Sequence, residues 1–122
     1  MRYLSDEWLA RADEALTDLP PLDDDVLVGF VVTDGPNGDR SYGLRLGSGS
    51  VGVEPGSGAA AVTLRLRWDL AVAVSQGRAS AQRAFLDGEL VLGGNVGLLL
   101  GHQRELKTID DRLVSLRAST DY

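Results

Sequence analysis

The chain has 122 residues, 18 acidic and 12 basic side chains, one histidine and no cysteine, for a net charge of −6. That length suits one domain, residues 1–122, built around one modest core. Lack of cysteine excludes disulfides and thiolate metal sites, a single histidine leaves no His-rich site, and the acidic balance argues against nucleic acid and anionic membrane surfaces.

Residues 5–17 are predicted to be helical. Ser5 is placed as the N-cap, with Asp6 and Glu7 in the first turn, where the helix dipole favours carboxylates. Leu4, Trp8, Ala12 and Leu16 recur every fourth residue, beside Leu9, and form the apolar stripe. Pro20-Pro21 ends the pattern. Asp23-Asp24-Asp25 is read as a solvated linker, because consecutive carboxylates point apart and cannot converge on one cation.

Val26 to Val32 is a continuous, β-branched run, which predicts a central strand buried on both faces. Asp34 to Asp39 is read as a turn. Tyr42, Leu44 and Leu46 then alternate with Gly43 and Arg45. Gly47-Ser48-Gly49-Ser50 turns the chain into a short third strand at Val51 and Val53, so these three strands are expected to form an antiparallel meander. In the fourth strand Val62, Leu64 and Leu66 alternate with Thr63, Arg65 and Arg67, giving one buried face and one wet, Arg-bearing face.

Helices are expected next. Asp69 is placed as the cap of a helix over about 70–76 with Gly77 beyond its end, and Ser80 as the cap of another to about 86, ended near Gly88. Glu89 to Leu92 is predicted to be a last strand, Gly93-Gly94 a turn, and Asn95 the cap of a terminal helix. Along that helix Leu99, His102, Leu106, Ile109, Leu113 and Leu116 are spaced 3, 4, 3, 4, 3 and form one stripe. Gly101 is a candidate kink, and Lys107 is expected to pair with Asp111.

Few residues carry recognisable chemistry. Gly47 to Gly52 matches GxGxxG, but Val51, Val53 and Pro55 follow where a phosphate-binding helix would have to start, so it is read as a hairpin turn. Neither a Walker sequence nor a GxSxG elbow occurs. His102 sits on the apolar stripe; Glu105, three residues on, is placed to orient it for catalysis, but the sequence names no nucleophile or paired acid, so it is read as a core or cavity-edge residue with its ring nitrogens hydrogen-bonded or as a polar contact for a ligand head group. Phe30, Trp68 and Phe85 are the bulky aromatics expected inside. Met1 to Glu7 lacks the apolar run of a signal peptide, and Leu90 to Gln103 is too short and Gly-rich to span a bilayer, so a cytoplasmic location is expected.

The segment Gly77 to Asn95 resembles the sterol carrier protein 2 family in its small stand-alone bacterial form. That family sets a Gly, a short helix ending Ala-Phe, a second Gly, a basic or polar residue, Leu, a strand, and Gly-Asp or Gly-Asn before its last helix. Ala84-Phe85, Gly88, Leu90, Gly94 and Asn95 fall on these positions. The Asp34-Gly35 hairpin, the Val62-Thr63-Leu64 strand and the helix opening at Trp68-Asp69 extend the likeness over nearly the whole chain.

The resemblance implies an α+β fold in the order α-β-β-β-β-α-α-β-α. Its five-stranded, mostly antiparallel sheet is covered on one face by helices, with an apolar tunnel between the layers. It also implies non-enzymatic binding or carrying of a hydrophobic small molecule (a fatty acid, acyl-CoA or sterol-like lipid) with no cofactor and no metal. Glu89 follows Gly88 where eukaryotic members often carry a basic residue, and the chain shows no Ser-Lys-Leu-type terminus. Stable membrane association and peroxisomal targeting are therefore not expected.

From the helix faces and the implied tunnel, the expected ligand-binding walls are Trp68, Val72, Phe85, Val96, Leu99, Leu100 and Leu106, with His102 near the mouth. The same fold also suits a protein-interaction or oligomerisation domain with a filled core, as a homodimer or as the partner of an enzyme. Catalysis has little to work with, since only His102 and scattered carboxylates are available.

Overall fold

Five extended stretches, alternating over residues 42–46 and 62–67 and continuously apolar over 26–32, pair edge to edge into one sheet. The computed structural model describes residues 1–20, 25–47, 50–56, 58 and 60–122. Its strands are β1 (Val26–Gly35), β2 (Gly38–Leu46), β3 (Val51–Pro55), β4 (Val62–Arg67) and β5 (Val91–Gly94), in the spatial order β3-β2-β1-β4-β5. β1 runs parallel to β4, and the other three pairings are antiparallel. The first three strands form the expected meander, and β4 then joins the far side of β1. The helices are α1 (Asp6–Leu16), α2 (Trp68–Ser75), α3 (Ala81–Leu86), α4 (Gly97–Gly101) and α5 (Gln103–Leu113), followed by a 3₁₀ turn at Val114–Ser119. The architecture is thus the expected α+β order, with the terminal helix in pieces.

α1 forms as its sequence dictates. Ser5 Oγ accepts from the Trp8 N–H at 3.2 Å, and Trp8, Leu9, Ala12 and Leu16 are all buried. This stripe packs on β3, and Asp13 Oδ1 accepts the Val53 N–H at 2.9 Å, satisfying a donor on an edge strand. Leu16, Val28, Val32, Leu46 and Val62 are the largest fully buried side chains and mark the centre of the core.

α2 and α3 stop where expected. Gly77 has φ +77°, a left-handed position that glycine adopts without penalty. Its N–H reaches the Val74 carbonyl while the Arg78 N–H reaches Ala73, which closes the helix with a Schellman pair. The Gly88 and Glu89 N–H groups repeat this pattern on Phe85 and Ala84. Ser80 Oγ accepts from Arg83 N–H, as a cap should.

Several expectations are corrected. β1 is central, yet only one of its faces is fully buried. Val26, Val28 and Val32 face the core, whereas Leu27 and Val31 are half-buried on a face they share with Arg45 and Arg65, their cross-strand neighbours. The turn expected at Asp34–Asp39 shrinks to Pro36-Asn37, because both strands continue towards it. Gly93-Gly94 lies inside β5, paired with Thr63 and Val62. Glu89 and Leu90 precede that strand. α2 starts at Trp68 directly from β4, so Asp69 sits within the first turn and not at the cap, where its Oδ1 accepts the Leu70 N–H. Asn95 is no side-chain cap either; Val96 takes the N-cap position, with no side-chain hydrogen bond. The terminal stripe breaks at His102 (φ −119°, ψ 24°), immediately after Gly101.

Ser48 and Gly49 of the GxGxxG match, Pro21, and Asp23 and Asp24 of the acidic run lie outside the described residues. The chain after the match does enter a strand, Val51–Pro55, and not a helix.

Candidate functional site

The strand pleat and the helix stripe bring apolar side chains together from both layers. On the helix-facing side of the sheet, register sets Phe30 opposite Tyr42 on one neighbour and Leu64 on the other. Val32, Leu44 and Leu66 continue the same face. From above come Ala71 and Val74 of α2, then Leu106, Ile109 and Leu113 of α5, spaced to share one helix face. Between the layers these residues line a partly open cavity of about 290 Å³. Trp8, Val53 and Leu116 also line it.

One flank of the cavity is aromatic. Phe30 and Tyr42 stack with ring centroids 4.8 Å apart and planes 4° from parallel. Trp8 meets Tyr42 edge-on at 6.5 Å and Tyr3 at 5.1 Å. Burial pushes the Tyr3 phenol above its ordinary pKa, and the neighbouring Tyr122 adds to the rise. Tyr42 is raised too, first by burial and then by Tyr3. Both phenols are therefore neutral at ordinary pH and offer neither base nor nucleophile.

The polar part of the lining is small. Ser75, Asp110, Arg117 and Tyr122 contribute it, together with the two buried phenols. Ser75 Oγ and Tyr122 OH are 2.8 Å apart, and Arg117 Nε donates to the Ser75 carbonyl. The segment carrying Tyr122 is held in place from the other end of the chain. Trp8 Nε1 donates to Thr120 Oγ1 at 3.2 Å, and the Tyr3 N–H donates to the Asp121 carbonyl at 3.0 Å.

The expected wall residues fall in different places. Leu106 lines the cavity. Trp68 is one ring away from it, 5.3 Å from Tyr3, where it lines a second, more polar pocket of about 590 Å³ with Arg2, Arg40 and Asp39. Val72 and Leu99 pack partly buried against the core. Val96, Leu100 and Phe85 are exposed, Phe85 by 46%. Phe85 is therefore not the interior aromatic that composition predicts. Its helix α3 is short and buries only Ala84.

His102 closes α4 and opens α5, outside the cavity lining. Its Nδ1 is buried with no hydrogen-bond partner among the described residues, so the expected bonding of both ring nitrogens is not seen. Also among the described residues, no group of three His, Asp or Glu side chains gathers as a metal site, and no helix is long and apolar enough to cross a membrane.

Tyr3, Tyr42, Ser75, Arg117 and Tyr122 were not singled out from sequence. Alternation in β2 carried the signal for Tyr42, and the terminal stripe already contained Leu106, Ile109, Leu113 and Leu116. Nothing local marks Tyr3 or Tyr122, which reach the cavity through contacts between chain ends.

Comparison with known proteins agrees with this architecture. A sterol carrier protein 2 from Yarrowia lipolytica, solved without ligand, is 30% identical over 58% of this chain and 63% of its own, with a TM-score of 0.50. This chain thus spans less than two thirds of that protein. A conserved hypothetical protein of Thermus thermophilus, described as possibly a sterol carrier protein, shares the fold more completely. It matches 95% of this chain and 90% of its own with a TM-score of 0.71, at 14% identity. A sterol carrier protein 2 from Aedes aegypti, solved in complex with palmitate, matches 85% of this chain and 94% of its own, with 22% identity and a TM-score of 0.60. No curated protein matches the sequence. The model of the SCP-2 sterol transfer family matches residues 6–107, and the chain belongs to that family.

Proposed function

We propose that residues 1–122 act as one unit that binds and carries a hydrophobic small molecule, such as a fatty acid, acyl-CoA or sterol-like lipid, and does no chemistry on it. The observation that carries this reading is the cavity of about 290 Å³ between sheet and helices, walled by aromatic and aliphatic side chains. Burial of a chain there gains about 0.8 kcal/mol per methylene removed from water. The cavity opens to solvent, so an apolar chain that enters it also releases water from aromatic and aliphatic walls.

Membership of the family supports the reading. The palmitate in the Aedes aegypti protein supports an acyl ligand in particular. The lack of catalytic function rests on the neutral phenols and on a histidine that stands away from the cavity. The expected tunnel enters as the route by which ligand reaches this chamber.

Native mass spectrometry of the purified protein, organic extraction and thermal melting with added palmitate test the reading together. A co-purified lipid, or a rise in melting temperature with palmitate, is the expected result. Finding no bound lipid and no stabilisation by any acyl ligand would overturn it.

A further inference from the structure

The polar lining is built around one cation. Arg117 Nε donates to the Ser75 carbonyl, and the Ser75 hydroxyl is bonded to Tyr122, so the guanidinium is fixed beside two hydroxyl groups at the cavity wall. Arg117 is only partly exposed, and its terminal nitrogens pass close to Gly77. Among the described residues it has no carboxylate partner. Arg11, Arg40, Arg45, Arg67 and Arg112 each pair with an Asp or Glu, and none of these lines the cavity. Asp110 is the one carboxylate of the lining; it is exposed and helps to keep the Lys107 ammonium charged. A guanidinium has five N–H donors in a fork that suits a carboxylate, and here one is used by the Ser75 carbonyl.

The cavity volume sets the other requirement. A dry cavity of about 150 Å³ accepts benzene, six carbons. A volume of about 290 Å³ then corresponds to about ten to twelve carbons on the same scale. Arg117 and Tyr122 lie beyond residue 107, where the match to the family model ends.

We propose that the cavity selects an aliphatic carboxylate of medium length, about ten to twelve carbons, whose head group is held by Arg117 beside Ser75 and Tyr122. This rests on the lipid-binding reading and specifies its ligand.

The test titrates the full chain at neutral pH with saturated fatty acids and their matched primary alcohols, from about eight to about eighteen carbons, following intrinsic tryptophan fluorescence in a Trp68→Phe background that leaves Trp8 at the cavity wall as the reporter. Affinity should rise with length to about twelve carbons and then fall, and the acid should bind at least about tenfold more tightly than the alcohol. In Arg117→Gln that preference should shrink to within about threefold while alcohol affinity is unchanged, and Arg117→Lys should keep part of it. An optimum at sixteen carbons or longer, equal binding of acid and alcohol with Arg117 intact, or an Arg117→Gln loss shared equally by both would overturn the proposal. The comparison with Arg117 intact decides it even if Arg117→Gln fails to fold. Equal binding of acids and alcohols leaves the lipid-binding reading intact, whereas no binding by either series removes both.

Discussion

Ser75 and Tyr122 are joined by a 2.8 Å hydrogen bond between their hydroxyls, and this bond ties the last residue to the end of α2 across the polar lining of the cavity. The Tyr122 ring also lies 5.1 Å from Tyr3. The bond is exposed, so Tyr122→Phe should cost less than about 1 kcal/mol of stability and, by removing one hydroxyl from beside the head group, speed ligand release about two- to threefold. Tyr122→Ala removes the ring as well as the bond, and it should speed release severalfold. Stopped-flow displacement of a bound fluorescent fatty acid checks both.

Burial separates Leu16 from Phe85 more sharply than their side-chain types do. Leu16 is 0% exposed in the core and Phe85 is 46% exposed on α3. Leu16→Ala should therefore cost about 2–5 kcal/mol, the range for a buried leucine. Phe85→Ala should fall well below the roughly 3–5 kcal/mol of a buried phenylalanine, at about 1 kcal/mol. Urea unfolding of the two variants measures the contrast, and a Phe85 cost equal to that of Leu16 would place its ring inside after all.

Periodic signals were legible and long-range ones were not. Leu4, Trp8, Ala12 and Leu16 announced a buried face, and all four are buried. Alternation in β2 and β4 named the sheet face that lines the cavity. The terminal stripe named Leu106, Ile109 and Leu113, and Gly101 signalled the break that falls immediately after it, at His102. Tyr3 and Tyr122 escaped notice since their positions depend on a bridge between Arg2 and Asp121, a pairing with no local sequence signature. Phe85 misled because an aromatic side chain was equated with burial, whereas the short α3 buries only Ala84.

Adjacent glycines in β5 give a direct test of strand geometry. Gly94 has φ +78°, and a Cβ there would lie 2.5 Å from the Ala61 carbonyl oxygen. A Cβ on Gly93 would meet nothing within 4 Å. Gly94→Ala combines left-handed backbone strain with a backbone overlap, so it should cost at least about 2 kcal/mol. Gly93→Ala should stay within about 0.5 kcal/mol, as surface changes usually do. Chemical denaturation distinguishes them, and equal effects would contradict the close approach of β5 to Ala61.

Buried phenols make stability depend on alkaline pH. Tyr3 and Tyr42 both sit above the ordinary value of 10.0, chiefly because burial opposes the charged form. Above pH 10 the unfolded chain releases these two protons while the folded chain retains them. The stability they support is whole below pH 10 and declines as pH rises towards the folded-state values. Each such phenol should steepen that decline by up to about 1.4 kcal/mol per pH unit. Tyr42→Phe removes one of them, so its unfolding free energy should fall less steeply than that of the wild type over the alkaline range. Denaturant titrations at stepped alkaline pH, read beside tyrosinate absorbance, measure the slope. The same slope in both proteins would mean that the Tyr42 phenol titrates as freely in the folded chain as in the unfolded one.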